Sequence, residues 1–196
     1  MGYFYGLSSD EIQGVGRMKV KISLAGLPGV GKTQTLMKTI DILEKEGNVV
    51  GGILTEKVMD GKEAVGLKVL DWHSKTAIIF AHKSINSRIR IGKFGVDLKA
   101  FDQVAIPAIE WSKDNADVII IDEVGKIEQE SKPYTEIVKE VLELDKMMIL
   151  TLHKKGRNPL LQEVKKRDDV RSLEVTQINR TLLPYKIAQL LKGEEV

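Results

Sequence analysis

The chain has 196 residues, of which 42% are hydrophobic and 30% charged. That is enough length and apolar material for one domain with a buried core, and it excludes a disordered or collagen-like chain. Lys and Arg total 30 against 28 Asp and Glu, a net charge of +2, so nucleic acid is not an expected partner. There are no cysteines, which removes disulfides, thiolate metal sites and cysteine nucleophiles together and fits a reducing, cytoplasmic setting.

No stretch reaches the roughly 18–20 consecutive apolar residues of a membrane span. Residues 1–17 have neither the basic start nor the apolar centre of a secretory signal. They read as a disordered extension ahead of one domain over 18–196, with a short ordered arm carrying Tyr3, Phe4 and Tyr5 as the alternative. The segment 18–25 alternates and then turns apolar, a strand ending at Gly26. Leu36, Met37, Ile40 and Leu43 recur at helical spacing over 32–46, and Gly47 with Asn48 closes that helix. Residues 49–55 are strand-like, and 64–72 with 76–82 form an antiparallel hairpin around His73, Ser74 and Lys75.

A second helix is expected over 97–114, with Asp97 as N-cap and Pro107 as a kink. The apolar run Val118-Ile119-Ile120-Ile121 reads as a strand covered on both faces. Further expectations are a helix over 133–144, a strand over 146–152, a short helix over 158–167, a strand over 170–176 and a terminal helix over 179–192. Strands alternating with helices in this rhythm imply an α/β fold, a mostly parallel sheet with helices on both faces and a small hairpin insertion.

Between the first strand and the first helix stands Gly26-Leu27-Pro28-Gly29-Val30-Gly31-Lys32-Thr33, which fits the phosphate-loop (Walker A) pattern. A polyphosphate needs many donors converging from a small volume. Glycines let successive backbone N–H groups point inward, and the following helix adds the partial positive charge of its N-terminus. In this pattern Lys32 reaches the β- and γ-phosphates, and the Thr33 hydroxyl is placed to ligate Mg²⁺. Such a loop requires an acid at the end of a neighbouring apolar strand. The segment Val118-Ile119-Ile120-Ile121-Asp122-Glu123-Val124-Gly125 supplies it. Asp122 is expected to hold Mg²⁺ or its water, and Glu123 to act as the base that activates water. Asp122 to Gly125 also matches the D-x-x-G of regulatory GTPases. No Asn-Lys pair occurs in the chain, so guanine selection by their Asn-Lys-x-Asp element is excluded.

Four segments make the pattern specific: Gly26 to Thr33; Gly51-Gly52-Ile53-Leu54-Thr55-Glu56; Arg90 to Leu98 with Phe101 and Pro107-Ala108; and Ile121 to Glu128. In order and spacing the chain resembles the thermophile-type nucleoside triphosphatases, whose vertebrate relatives are called cancer-related nucleoside-triphosphatase. The resemblance runs from about Met18 to Lys192. It implies a RecA-like core and slow, Mg²⁺-dependent hydrolysis of ATP, GTP and other nucleoside triphosphates. It also implies nucleotide contacts around 26–33 and 118–125, with Val118 to Ile121 as sheet core. One departure concerns an arginine that relatives carry before a Gly-Phe; here the stretch is Lys62-Glu63-Ala64-Val65-Gly66-Leu67.

Phosphoryl transfer gains from a cation near the γ-phosphate. Arg90, Lys93, Lys126, Arg157 and Arg180 are available. Arg157, following the strand that ends in Thr151 and Leu152, is the one expected at the catalytic edge, with a solvated basic loop over 153–157 as the alternative. Thr151 is either a γ-phosphate sensor or an ordinary strand threonine. His73, His82 and His153 show no metal spacing, and Trp72 and Trp111 read as core or rim residues that could also stack a base. A nucleotide or small-molecule kinase and a nucleotide-gated protein-binding module are the competing functions, and the sequence names no protein partner.

Overall fold

A strand of Val and Ile with no polar side chain can be stable only where both faces are covered. Val118, Ile119, Ile120 and Ile121 are all 0% exposed, and alternate residues fall into two separate cores. The computed structural model describes residues 19–125, 127, 130–153 and 158–194; the expected extension over 1–17 lies outside them. The strands are β1 (Lys21–Gly26), β2 (Val50–Asp60), β3 (Glu63–Asp71), β4 (Ala77–His82), β5 (Arg90–Ile91), β6 (Phe94–Val96), β7 (Val118–Val124), β8 (Met147–His153) and β9 (Val170–Glu174). The helices are α1 (Lys32–Lys45), α2 (Leu98–Asn115), α3 (Lys132–Glu143), α4 (Pro159–Lys166) and α5 (Leu183–Leu191).

One nine-stranded sheet runs in the order β5-β6-β4-β3-β2-β7-β8-β1-β9. From β2 to β9 the neighbours are parallel; from β2 outward through β3, β4, β6 and β5 they are antiparallel. The expected hairpin is thus part of a larger antiparallel wing, continuous with the main sheet. Ile119, Ile121 and Leu150 join Phe101, Ile109, Tyr134 and Leu161 on the face covered by α2, α3 and α4. Ile22, Leu24, Ile120 and Ile149 join Leu36, Ile40, Ile187 and Leu190 on the face covered by α1 and α5. The result is the three-layer α/β architecture that the alternating pattern implied.

Local chemistry sets the helix starts. Asp97, Ser131 and Asn158 accept hydrogen bonds from first-turn N–H groups of α2, α3 and α4. Helix α2 continues through Pro107. The largest departures from the expected boundaries are in β2 and α5. Strand β2 runs on past Thr55 to Asp60, because pairing with β3 carries the polar segment 56–60 as a strand, with Lys68 Nζ 2.8 Å from Glu56 Oε2. Helix α5 begins at Leu183 and not near Asn179, because Thr176 and Asn179 bond each other and fold the intervening residues into turns. Where β2 crosses β7, Gly52 has φ +115°, and a Cβ there would stand 2.0 Å from the Ile120 carbonyl oxygen. Only glycine fits.

Candidate functional site

Ligand sites of α/β sheets form at the carboxyl edge of the parallel strands. That edge holds Gly26 at the end of β1, Thr55 on β2, Asp122 and Glu123 on β7, and Thr151 on β8. Helix α1 differs from α2, α3 and α4 in having no side-chain cap: its N-cap is Gly31, at φ 111°. A residue with a Cβ adopts that conformation only under strain. The first-turn donors of α1 therefore face the phosphate-loop concavity without a protein side chain capping them.

Lys32 opens α1 and is buried, 7% exposed, with Nζ 3.4 Å from the Gly26 carbonyl oxygen and 3.5 Å from Glu123 Oε2. The Thr33 hydroxyl donates to Asp122, at 3.1 Å from Oδ2. Between Ile121 and Val124, β7 advances three residues while β8 advances two, from Leu150 to Leu152. This bulge lies at Asp122 and Glu123, whose joining peptide is cis. The side chain of Asp122 lies on the α1 side of the sheet, 1% exposed.

Asp122 is held by three threonines. The Thr151 hydroxyl donates to Oδ1, and the Thr33 hydroxyl donates chiefly to Oδ2. The Thr55 N–H donates to Oδ2 at 3.4 Å, and the Thr55 hydroxyl donates to the Asp122 carbonyl oxygen at 2.7 Å. Burial pushes the Asp122 carboxyl up to about 6, and the charge of Glu123 adds to the rise, while the hydrogen bonds from Thr151, Thr33 and Thr55 oppose it. Glu123 is more open, its side chain 35% exposed. The Gly125 carbonyl accepts from Asn158 Nδ2, which ties the loop after β7 to the start of α4.

The structure therefore brings together Gly26, Gly31, Lys32, Thr33, Asp122, Glu123 and Gly125, and leaves Val118, Ile119, Ile120, Ile121 and Val124 in the core. Leu27, Pro28 and Gly29 are exposed on the loop crest. Arg157 and Lys126 lie outside the described residues. Arg90 on β5 and Lys93 on the β5–β6 turn sit at the far end of the sheet. Arg180 lies beside the phosphate loop, with Cδ 3.5 Å from where a Cβ on Gly31 would stand. Trp72 and Trp111 are at the opposite edge: Trp72 Nε1 donates to Glu44, and Trp111 stacks on His73. Neither is placed to stack a base over the phosphate loop. No sequence motif gives Thr55 or Asn158 a role; the Thr-Glu pair ending the apolar part of β2 is the signal available for the first.

A model of the NTPase family matches residues 21–188. The chain is 42% identical to nucleoside-triphosphatase THEP1 of Picrophilus torridus, over 90% of this chain and 98% of that protein. It is 40% identical to the protein of the same name from Thermoplasma volcanium, over 91% and 100%. The fold matches the crystal structure of THEP1 from Aquifex aeolicus with a TM-score of 0.78 at 30% identity, covering 88% of this chain and 99% of that one. It matches the solution structure of a human cancer-related nucleoside triphosphatase with a TM-score of 0.76 at 29% identity, covering 90% and 100%. With the family match spanning the phosphate loop, the acidic strand and helices α1 to α4, the chain belongs to the NTPase family.

Proposed function

We propose that the protein hydrolyses nucleoside triphosphates to the diphosphate and inorganic phosphate, with Mg²⁺ as cofactor and with ATP and GTP both accepted. The observation that carries this is the meeting of Lys32, Thr33, Asp122 and Glu123 at the open N-terminus of α1, with Lys32 Nζ 3.5 Å from Glu123 and the Thr33 hydroxyl 3.1 Å from Asp122. The curated relatives named nucleoside-triphosphatase support the same reading.

The loop N–H groups and α1 bind the phosphates, and Lys32 supplies a buried positive charge to the terminal ones. Glu123 takes a proton from the attacking water as its oxygen bonds the γ-phosphorus. The bond from that phosphorus to the β,γ-bridging oxygen breaks, and the bridging oxygen leaves on the diphosphate. Thr151 and Thr55 hold the Asp122 carboxylate in place for the ion. A hydroxyl and a carboxylate are hard oxygen donors, which suits Mg²⁺, an ion that takes few protein ligands and fills the rest of its shell with phosphate and water. Thr33 and Asp122 would hold it, and when bound it neutralises charge on the β- and γ-phosphates.

Base tolerance follows from the missing Asn-Lys-x-Asp element. We expect kcat/KM for ATP and GTP within about tenfold, or roughly 1.4 kcal/mol. The test follows γ-labelled ATP, GTP, CTP and UTP with Mg²⁺. Label released as free phosphate from all four supports hydrolysis. Label carried to a second substrate would make the protein a kinase, and a thousandfold preference for one base would contradict the broad specificity.

A further inference from the structure

We infer that the segment 175–182 is the wall against which the nucleoside docks, and that Ile178 and Arg180 take the face of the base whichever base it is. The inference rests on the assignment of Gly26–Thr33 to the phosphates. In the order β7-β8-β1-β9, Asp122, Glu123 and Thr151 all lie to one side of β1. A triphosphate whose terminal phosphate meets those residues must run its nucleoside end to the other side, over the turn that follows β9.

That turn is bonded to the end of β1 and lies against the phosphate loop at two points. The Val175 N–H donates to the Ala25 carbonyl at 2.8 Å, and the Val175 carbonyl oxygen is 3.1 Å from where a Cβ on Gly26 would stand. Five residues on, Arg180 Cδ and Nη1 lie 3.5 and 3.8 Å from the corresponding position on Gly31. Ile178 falls between these anchors and is 94% exposed, while Leu27 on the phosphate loop itself is 52% exposed. The turn is braced from within. The Thr176 N–H donates to Asn179 Oδ1 at 2.8 Å, the Asn179 N–H to Thr176 Oγ1 at 3.2 Å, and Asn179 Nδ2 to the Glu174 carbonyl at 2.8 Å. Among the described residues no carboxylate pairs with Arg180.

An exposed apolar side chain on a braced turn and a planar cation without a carboxylate partner among the described residues, next to a phosphate loop, suit a purine or pyrimidine ring. A guanidinium stacks on aromatic faces, and every base presents a π-face. Contacts of this kind hold a base without reading its edge, which gives tolerance a structural origin.

The experiment compares calorimetric binding of three Mg²⁺ complexes: the β,γ-imido analogues of ATP and GTP, and inorganic tripolyphosphate. The double variant Ile178→Ser/Arg180→Ala alters exposed residues, and its thermal unfolding is checked against wild type. We expect both nucleotides to weaken alike, by roughly five- to a hundredfold, with tripolyphosphate within about twofold of wild type. Nucleotide affinity within about twofold of wild type would overturn the inference. So would an equal loss for tripolyphosphate, which would make Arg180 a phosphate contact. Lys32→Ala serves as the reference, since it should weaken all three ligands. If it weakens none, the phosphate-loop assignment itself fails, and the inference with it.

Discussion

Asp122→Asn should make the nucleotide-free protein more stable at pH 7.5 while weakening its hold on Mg²⁺-nucleotide. The carboxyl is 1% exposed, and burial raises it from its ordinary 3.8 to about 6. At about 1.4 kcal/mol for each pH unit between those values, the ionised folded state is disfavoured by about 3 kcal/mol. For a carboxyl raised by folding, the favourable contribution is full below about pH 4 and is lost as pH rises through about 6. An amide does not titrate, so the stability difference should be under about 1 kcal/mol at pH 4. By pH 7.5 it should reach up to about 3 kcal/mol in the variant's favour. If the new NH₂ finds no acceptor, about 1 kcal/mol or more of that gain is removed. Urea unfolding of both proteins in EDTA, in steps from pH 4 to 8, measures it; the midpoint shift at pH 7.5 should be on the order of 1 M. A saturating Mg²⁺ complex of a non-hydrolysable triphosphate should reverse the order, since a ligand stabilises only the state that binds it. A variant no more stable than wild type at pH 7.5, or a difference that does not change with pH, would refute the reasoning.

Lys32→Ala should lower kcat by about 10²–10³, the usual worth of a preorganised charge at the reacting group, as read by phosphate release, with an unfolding midpoint near that of wild type. Gly52→Ala places a methyl 2.0 Å from the Ile120 carbonyl at a positive φ. It should destabilise by about 3 kcal/mol or more, seen as a lowered Tm or as loss of soluble protein. Asp169→Asn leaves the Lys21 ammonium, 2.6 Å from the carboxylate and 5% exposed, without its charge partner. It should lose about 3–5 kcal/mol at neutral pH. Because Arg167 and Lys21 hold Asp169 well below the usual carboxylate range, that contribution is present above about pH 4 and fades as pH falls further. Urea titrations at pH 7 and pH 3 should show the deficit shrinking in acid.

What could be read from the sequence was local. The phosphate loop is eight consecutive residues, and its glycines, its lysine and the helix that follows are one contiguous instruction. The same holds for the Val118–Ile121 run, for the Asp97 cap and for the 64–82 hairpin, each decided by neighbours in the chain. What could not be read depends on distant partners. Thr55 and Asp122 are 67 positions apart, and Thr151 is 29 from the carboxylate it touches. Nothing in the local sequence separates Thr151 from an ordinary strand threonine, and the Thr55-Glu56 pair does not by itself name Asp122 as its partner. The polar end of β2 carries no strand signal of its own, because its strand character comes from pairing with β3. Strands of two and three residues, β5 and β6, are too short to show a period. Arg180 was one of five candidate cations. Only the course of the chain after β9, set by the Thr176–Asn179 brace, placed it beside Gly31.

The division of labour between two adjacent carboxylates is tested most directly by Glu123→Gln. The amide keeps the size of the side chain but cannot accept the proton from water. Equilibrium binding of Mg²⁺-ATP should stay within several-fold of wild type, because Gly26 to Thr33 and Asp122 are untouched. Single-turnover hydrolysis should slow by about 10²–10⁴, the usual worth of a positioned base. Hydrolysis at the wild-type rate with binding intact would contradict the assignment and leave Glu123 an acidic residue at the end of a strand.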